Sequence, residues 1–202
     1  NASPSAQRVS ADLAPEALGN RIKSELGLTV TGPLLFGDGP FGDFYVNRSL
    51  TPAQRSRVID AAVRIVSAHP QVDRVVRGSA LAAMPLPHGS PEQWTVEQRL
   101  RASYDAERSG DFLVVLKARV TPIPESGMGY VATHGSVWDY DRRVPMLFWR
   151  AGLRPFEQPN PVMTVDILPT MASLINLPIP ADQIDGRCLD LIAGAGSNCP
   201  AP

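Results

Sequence analysis

Cysteine, histidine and lysine are all scarce in this sequence, and each scarcity narrows what it can do. Two cysteines, three histidines and three tryptophans are spread over 202 residues. H-x-H, H-x-x-x-H and H-E-x-x-H are absent, so no local motif builds a complete metal site. G-x-S-x-G is absent as well, and no serine or cysteine nucleophile has a recognisable setting. Gly37-Asp-Gly-Pro-Phe-Gly42 carries an acid and a proline and opens no helix, and Gly194-Ala-Gly196 lies in the tail, so neither reads as a phosphate loop. No apolar run reaches the roughly 18 residues that a membrane-spanning helix needs. The net charge is -1, which excludes binding of a polyanion by bulk charge. Only Lys23 and Lys117 are lysines; the other basic residues are arginines. The chain opens Asn-Ala-Ser-Pro with no initiator methionine, basic n-region or apolar h-region, the start expected of a processed protein or a piece of a longer one.

What is present describes an ordinary packed domain with one excess. Hydrophobic residues make up 44% and charged residues 19%, against both disorder and a coiled coil. Proline, at 20 residues, is about twice its usual share, which predicts many rigid turns and few long helices. Cys188 and Cys199 flank a glycine-rich segment without the C-x-x-C spacing or nearby ligands of a zinc site. They read as a short-loop disulfide rather than two unrelated thiols, which places the protein in the periplasm or outside the cell. Such a bridge contributes about 3 kcal/mol on the chain-entropy account.

Element signals alternate along the chain. Asp12 is a cap for a helix with Pro15 in its first turn; Leu18, Ile22 and Leu26 share one face and Gly27 closes it. Pro33–Phe36 and Asp43–Asn47 read as two strands joined by a Gly/Pro/Asp turn. Thr51, Pro52 and Gln54 write a capping box for a helix over 51–68 that carries Val58, Ile59, Ala62, Val63 and Val66 on one stripe. Val72–Val76 follows as a strand, and these pieces predict a small α+β layer with its helix on one face. After an irregular stretch and a short helix near 96–104, Asp111–Leu116 and Val144–Trp149 read as strands buried on both faces of a parallel sheet. Asp166–Ile175 is a helix with Asp166 as N-cap and Pro169 at N3, where its missing N–H is harmless. Its expected inward set is Ile167, Leu168, Met171, Leu174 and Ile175.

Among the histidines, His69 ends a helix before a proline, where an imidazole suits the last carbonyls. His88 sits in a proline-rich loop and reads as solvated. His134 is the candidate. Gly127-Met-Gly-Tyr-Val-Ala-Thr-His-Gly-Ser136 brings it to the mouth of a strand with no Cβ on the following residue, a place where open α/β sheets present ligands. The acidic pair Asp139/Asp141 beside Arg142 and Arg143 reads as a turn held by surface ion pairs.

Three blocks in order carry a resemblance. They are Ala132-Thr-His-Gly-Ser-Val-Trp-Asp-Tyr-Asp-Arg-Arg-Val-Pro-Met-Leu-Phe-Trp149, Val162-Met-Thr-Val-Asp-Ile-Leu-Pro-Thr-Met-Ala-Ser-Leu-Ile175, and Asp185-Gly-Arg-Cys-Leu-Asp190. Together with Ser109–Lys117 they are similar to the C-terminal end of the alkaline phosphatase superfamily, above all its monomeric, threonine-nucleophile, sphingomonad-type bacterial members. The resemblance implies an α/β fold: the C-terminal part of a three-layer αβα sandwich with a small α+β excursion. It assigns residues 1–29 to a lead-in and helix, 30–108 to the accessory excursion, 109–192 to the return to the core and 193–202 to a tail. It implies hydrolysis of phosphate monoesters through a covalent phosphothreonine between two zinc ions, with His134 as a ligand of one zinc. A structural calcium or magnesium in the complete protein belongs to the same expectation. His88, Trp94 and Tyr104 become candidates for the mouth of the active site. The family's nucleophile and remaining metal ligands precede the region of resemblance and have no counterpart here. The chain therefore resembles roughly the C-terminal two-fifths of a longer protein. Alone it is expected to be inactive; its partners are the missing N-terminal portion and phosphate esters, with no nucleic acid and no membrane. Alternative readings are a phosphodiesterase, nucleotide pyrophosphatase or sulfatase-like member, and a non-catalytic accessory domain.

Overall fold

The computed structural model describes residues 5–123, 133–194 and 196–200. They divide into two units: one of Asn1–Pro87 and Thr95–Arg143, the other of His88–Trp94 and Val144–Pro202.

The first unit is built on a four-stranded sheet in the order β2-β3-β5-β4 (Leu35–Phe36, Gly42–Val46, Phe112–Leu116 and Val72–Arg77). Both neighbours of β5 run antiparallel to it, with Phe44 opposite Phe112 on one side and Val75 opposite Val114 on the other. The expected parallel sheet is thus corrected. All five residues of β5 are buried because helices cover both faces, not because its neighbours are parallel. Phe112, Val114 and Leu116 point into a core with α1 (Pro15–Leu26) and α2 (Pro52–Ser67), where Ile22, Val58 and Val66 are fully buried. Leu113 and Val115 point the other way, to Leu81 of α3 (Gly78–Ala83) and Leu100 of α4 (Val96–Ala102). An apolar run reports two covered faces, whichever way the partner strands run. The one-sided layer expected from the sequence is likewise a three-layer arrangement; α3, which the sequence reading passed over as irregular, supplies part of the second face.

Helix ends follow local chemistry. Thr51 Oγ1 accepts the Gln54 amide while Gln54 Oε1 accepts the Thr51 amide, the reciprocal box read from the sequence. Thr95 and Gln98 repeat it on α4. Asp12 does not cap α1: it lies in a 3-10 turn over Ala11–Leu13, Ala14 is the N-cap, and Pro15 takes the first helical position. Gly27 closes the helix as expected. His69 is a structural residue, though not through the helix carbonyls. Its Nδ1 accepts the Gln71 amide at 3.2 Å and its Nε2 lies 3.4 Å from Asp12. Strands β1 (Gln7–Arg8) and β6 (Val120–Thr121) form a separate parallel pair.

The second unit centres on α6 (Ile167–Leu174), entered through a 3-10 turn over Thr164–Asp166. Pro169 stands at N3 as expected, but the inward face is not the apolar one. Ile167, Leu168, Met171 and Ile175 are exposed, whereas Asp166 and Thr170 are buried at 1% and 0% relative exposure. The reason is the strap formed by residues 185–194 and 196–199, which packs on the polar side. Asp166 accepts the amides of Met163 and Arg187, each at 2.9 Å, instead of capping its helix. Thr170 Oγ1 donates to the Asp166 carbonyl (2.6 Å) and accepts the Leu189 amide (2.9 Å). Asn198 ties Ser173 Oγ, the Leu189 carbonyl and the Leu191 amide together. Gly186 passes so close to the Val165 carbonyl that a Cβ would collide with it. Cys188 and Cys199 are bonded, as the sequence predicted. The strand expected at Val144–Trp149 is not formed; Leu147 and Trp149 are each 90% exposed, and no strand among the described residues pairs with them. Pairing needs a partner as well as an apolar sequence.

Candidate active-site edge around His134

A cavity of about 560 Å³ opens in the first unit against the end of β5 and the segment at 133–141. Its walls include Phe41, Leu113, Leu116, His134, Trp138 and Asp141. Most of that lining is apolar; Arg119, His134, Ser136, Tyr140 and Asp141 are among its polar residues. His134 itself is exposed. Gly135 follows it at φ 102, a conformation that a side chain would strain, which explains the glycine after the histidine. The Gly127–Ala132 approach to His134 lies outside the described residues.

Behind His134 the chain is pinned by side chains. Trp138 Nε1 donates to the Leu116 carbonyl at 3.0 Å, anchoring α5 (Asp139–Arg142) to the end of β5. Arg99 Nη1 donates to the Val137 carbonyl at 2.8 Å from α4. Asp141 Oδ2 accepts the Ser136 amide at 2.6 Å. The two acids read from sequence as one ion-paired turn therefore have separate uses. Asp139 faces Arg99 at 3.1 Å and Arg142 and Arg143 at 3.4 Å each, while Asp141 turns back to the main chain. Burial, then the nearby Arg99 guanidinium, hold the Arg142 pKa below its ordinary value, with Asp139 acting in the opposite sense.

His88 and Trp94 meet in the second unit, where Trp94 Nε1 donates to the His88 carbonyl at 3.2 Å and His88 is exposed. Tyr104 is half-buried against Leu81 and Leu100 and does not line the cavity. Among the described residues, no three His, Cys, Asp or Glu side chains cluster as metal ligands. What these residues fit is a single ligand: an exposed imidazole at a cavity rim on an anchored loop. Arg99 and Trp138 escaped the sequence reading because their roles depend on contacts 38 and 22 residues away in the chain.

No family model matches the chain. It is 54% identical over 200 residues to alkaline phosphatase PhoK of a Sphingomonas species, a match covering 98% of this chain and 36% of PhoK. It is 47% identical over 195 residues to alkaline phosphatase PhoD of Zymomonas mobilis subsp. mobilis, covering 96% of this chain and 34% of PhoD. The chain belongs to the alkaline phosphatase superfamily. It spans about a third of the length of these curated relatives. The crystal structure of wild-type alkaline phosphatase PafA shares its fold, with a TM-score of 0.70 over 93% of this chain and 34% of that one, at 19% identity. The α/β fold of the superfamily is thus the fold seen here, and the resemblance read from the three sequence blocks holds.

Proposed function

We propose that this chain is the His134-bearing part of a zinc-dependent alkaline phosphatase that hydrolyses phosphate monoesters. The observation that carries the reading is the high identity to named alkaline phosphatases along almost the whole chain, with His134 lining a cavity of about 560 Å³. The threonine nucleophile and the other zinc ligands come from polypeptide beyond these 202 residues, so the chain alone turns over nothing. When bound, zinc lowers the pKa of the nucleophile and neutralises charge on the transferred phosphoryl group. This chain contributes an exposed imidazole, a backbone held in place behind it, and a largely apolar cavity wall beside it.

The outward apolar face of the second unit supports a partner of the same origin. Val144, Leu147, Trp149, Leu168 and Ile175 are all exposed, and large apolar side chains in that number within one small unit are ordinarily covered. The remaining two-thirds of a phosphatase of the relatives' length is the occupant proposed here, giving a monomeric enzyme. The disulfide fits an oxidising compartment, the periplasm or outside the cell. No described helix is long and apolar enough to cross a membrane.

The deciding experiment joins this chain to the preceding two-thirds and measures release of p-nitrophenol from p-nitrophenyl phosphate at alkaline pH. Hydrolysis is expected from the joined protein, none from the 202 residues alone, and loss of activity on zinc chelation or His134→Ala. Activity that persists after both treatments overturns the reading.

A further inference from the structure

Metal ligands on loops need restraint, because an imidazole free to wander pays its ordering entropy each time it binds. The loop bearing His134 is exposed, yet the residues behind it are fastened at separate points. Two of those fastenings, Trp138 Nε1 to the Leu116 carbonyl and Arg99 Nη1 to the Val137 carbonyl, hang the turn from β5 and from α4. A further contact, from the Arg119 amide to the Tyr140 hydroxyl at 3.0 Å, steadies α5 from the other side. All of these hold residues three or more positions beyond the histidine. Among the described residues, two bonds reach back to Ser136, two residues from His134: the 3.4 Å bond from the Trp138 amide to the Ser136 hydroxyl, and the shorter 2.6 Å bond from the Ser136 amide to Asp141 Oδ2, which alone holds the Ser136 main chain. The intervening Gly135, at φ 102, has no side chain to resist rotation.

We infer that Asp141 is a positioning residue: by holding the Ser136 amide it fixes the Gly135 peptide and so keeps the His134 imidazole aimed from the cavity rim for metal ligation. The inference rests on the proposed zinc role of His134. Its sharpest support is the division of labour between two acids two residues apart. Asp139 takes the three arginines, and Asp141 gives a carboxylate oxygen to a backbone N–H, a charge-assisted bond stronger than a neutral one. A turn needing only ion pairs would not require both.

The test measures the rate of zinc release to a chromogenic chelator from the complete, zinc-loaded enzyme, alongside the melting temperature of its metal-free form. Asp141→Ala is expected to speed release about tenfold. Asp141→Asn keeps an acceptor oxygen for the Ser136 amide and is expected to stay within about twofold of the parent rate. His134→Ala is the reference for losing the ligand altogether. Release unchanged in Asp141→Ala but accelerated in His134→Ala overturns the positioning role and leaves the ligand role standing. Release unchanged in His134→Ala overturns the ligand role and the inference with it. If Asp141→Ala does not fold, Asp141→Asn and Trp138→Phe decide: a parent-like rate in the first with about threefold faster release in the second supports the anchored loop, and parent-like rates in both reject it.

Discussion

The two units solve opposite packing problems. In the first, apolar stripes on α1 and α2 face apolar strand residues across the core. The stacked pair Phe44 and Phe112, with ring centroids 5.1 Å apart, sits at the middle of that core. In the second, α6 buries its polar side and shows its apolar side. The strap is held by Asp166, Thr170, Asn198 and a disulfide, with Ala172 the one buried hydrophobic residue among the described residues of this unit. The difference teaches that a unit can be ordered by directional bonds while its hydrophobic face is reserved for something else. Such a unit resists local distortion but gains little from burial.

Truncation of side chains breaks or sharpens that contrast. Phe112→Ala is expected to cost about 3–5 kcal/mol in chemical denaturation followed by tryptophan fluorescence, as a fully buried aromatic leaves a cavity in the first unit. Trp149→Ser, on the outward face of the second, is expected to change the isolated chain's stability by no more than about 0.5 kcal/mol. A comparable cost for both substitutions would mean that the outward face is already packed, and the contrast would fall. In the second unit, replacing both cysteines with serine is expected to cost about 3 kcal/mol, since the bridge closes a short loop between residues 11 apart. Hydrogen exchange of the Leu189 and Leu191 amides reads that loss locally, because both are bonded through the strap.

The same contrast decides what was legible in the sequence. Capping is local chemistry, so Thr51 and Gln54 announced α2 before any fold was known, and Thr51→Ala is expected to cost about 1 kcal/mol in the same denaturation measurement. Cys188 and Cys199 were legible for a similar reason, being close in the chain. The inward face of α6 was misread because periodicity reports which side is apolar, and the rule that the apolar side faces inward presumes that the covering layer is in the same unit. Here the strap's hydroxyl and amide partners lie 19 to 25 residues from those on the helix, a distance at which no sequence pattern marks them. Val144–Trp149 failed for the same cause. At the proposed site, His134 stands out by its own neighbours, His-Gly-Ser, and by the family blocks, and the structure shows it lining a cavity. Asp141 was seen and misassigned, because composition cannot separate a carboxylate facing an arginine from one facing an amide.

The smallest expected effect tests whether the first unit's surface charges matter to it at all. Glu97 sits in the first turn of α4 and pairs with Arg74 on β4. Backbone hydrogen bonding at the helix start, and then the Arg74 guanidinium, hold its pKa below the ordinary 4.5, with burial acting against them. A carboxylate whose folded pKa is depressed adds stability above its unfolded pKa and loses it as pH falls through the lower folded value. The contribution is therefore intact at neutral pH and disappears in acid, below about pH 4. Because the side chain is partly exposed, solvent screening limits it to a few tenths of a kcal/mol. Denaturation midpoints across pH 3–7 for Glu97→Gln against the parent should converge at the acid end and separate slightly at neutral pH. Separation that grows as pH falls would reverse the sign and show that the pair destabilises the fold, leaving hydrophobic layering as the whole of what distinguishes the first unit from the second.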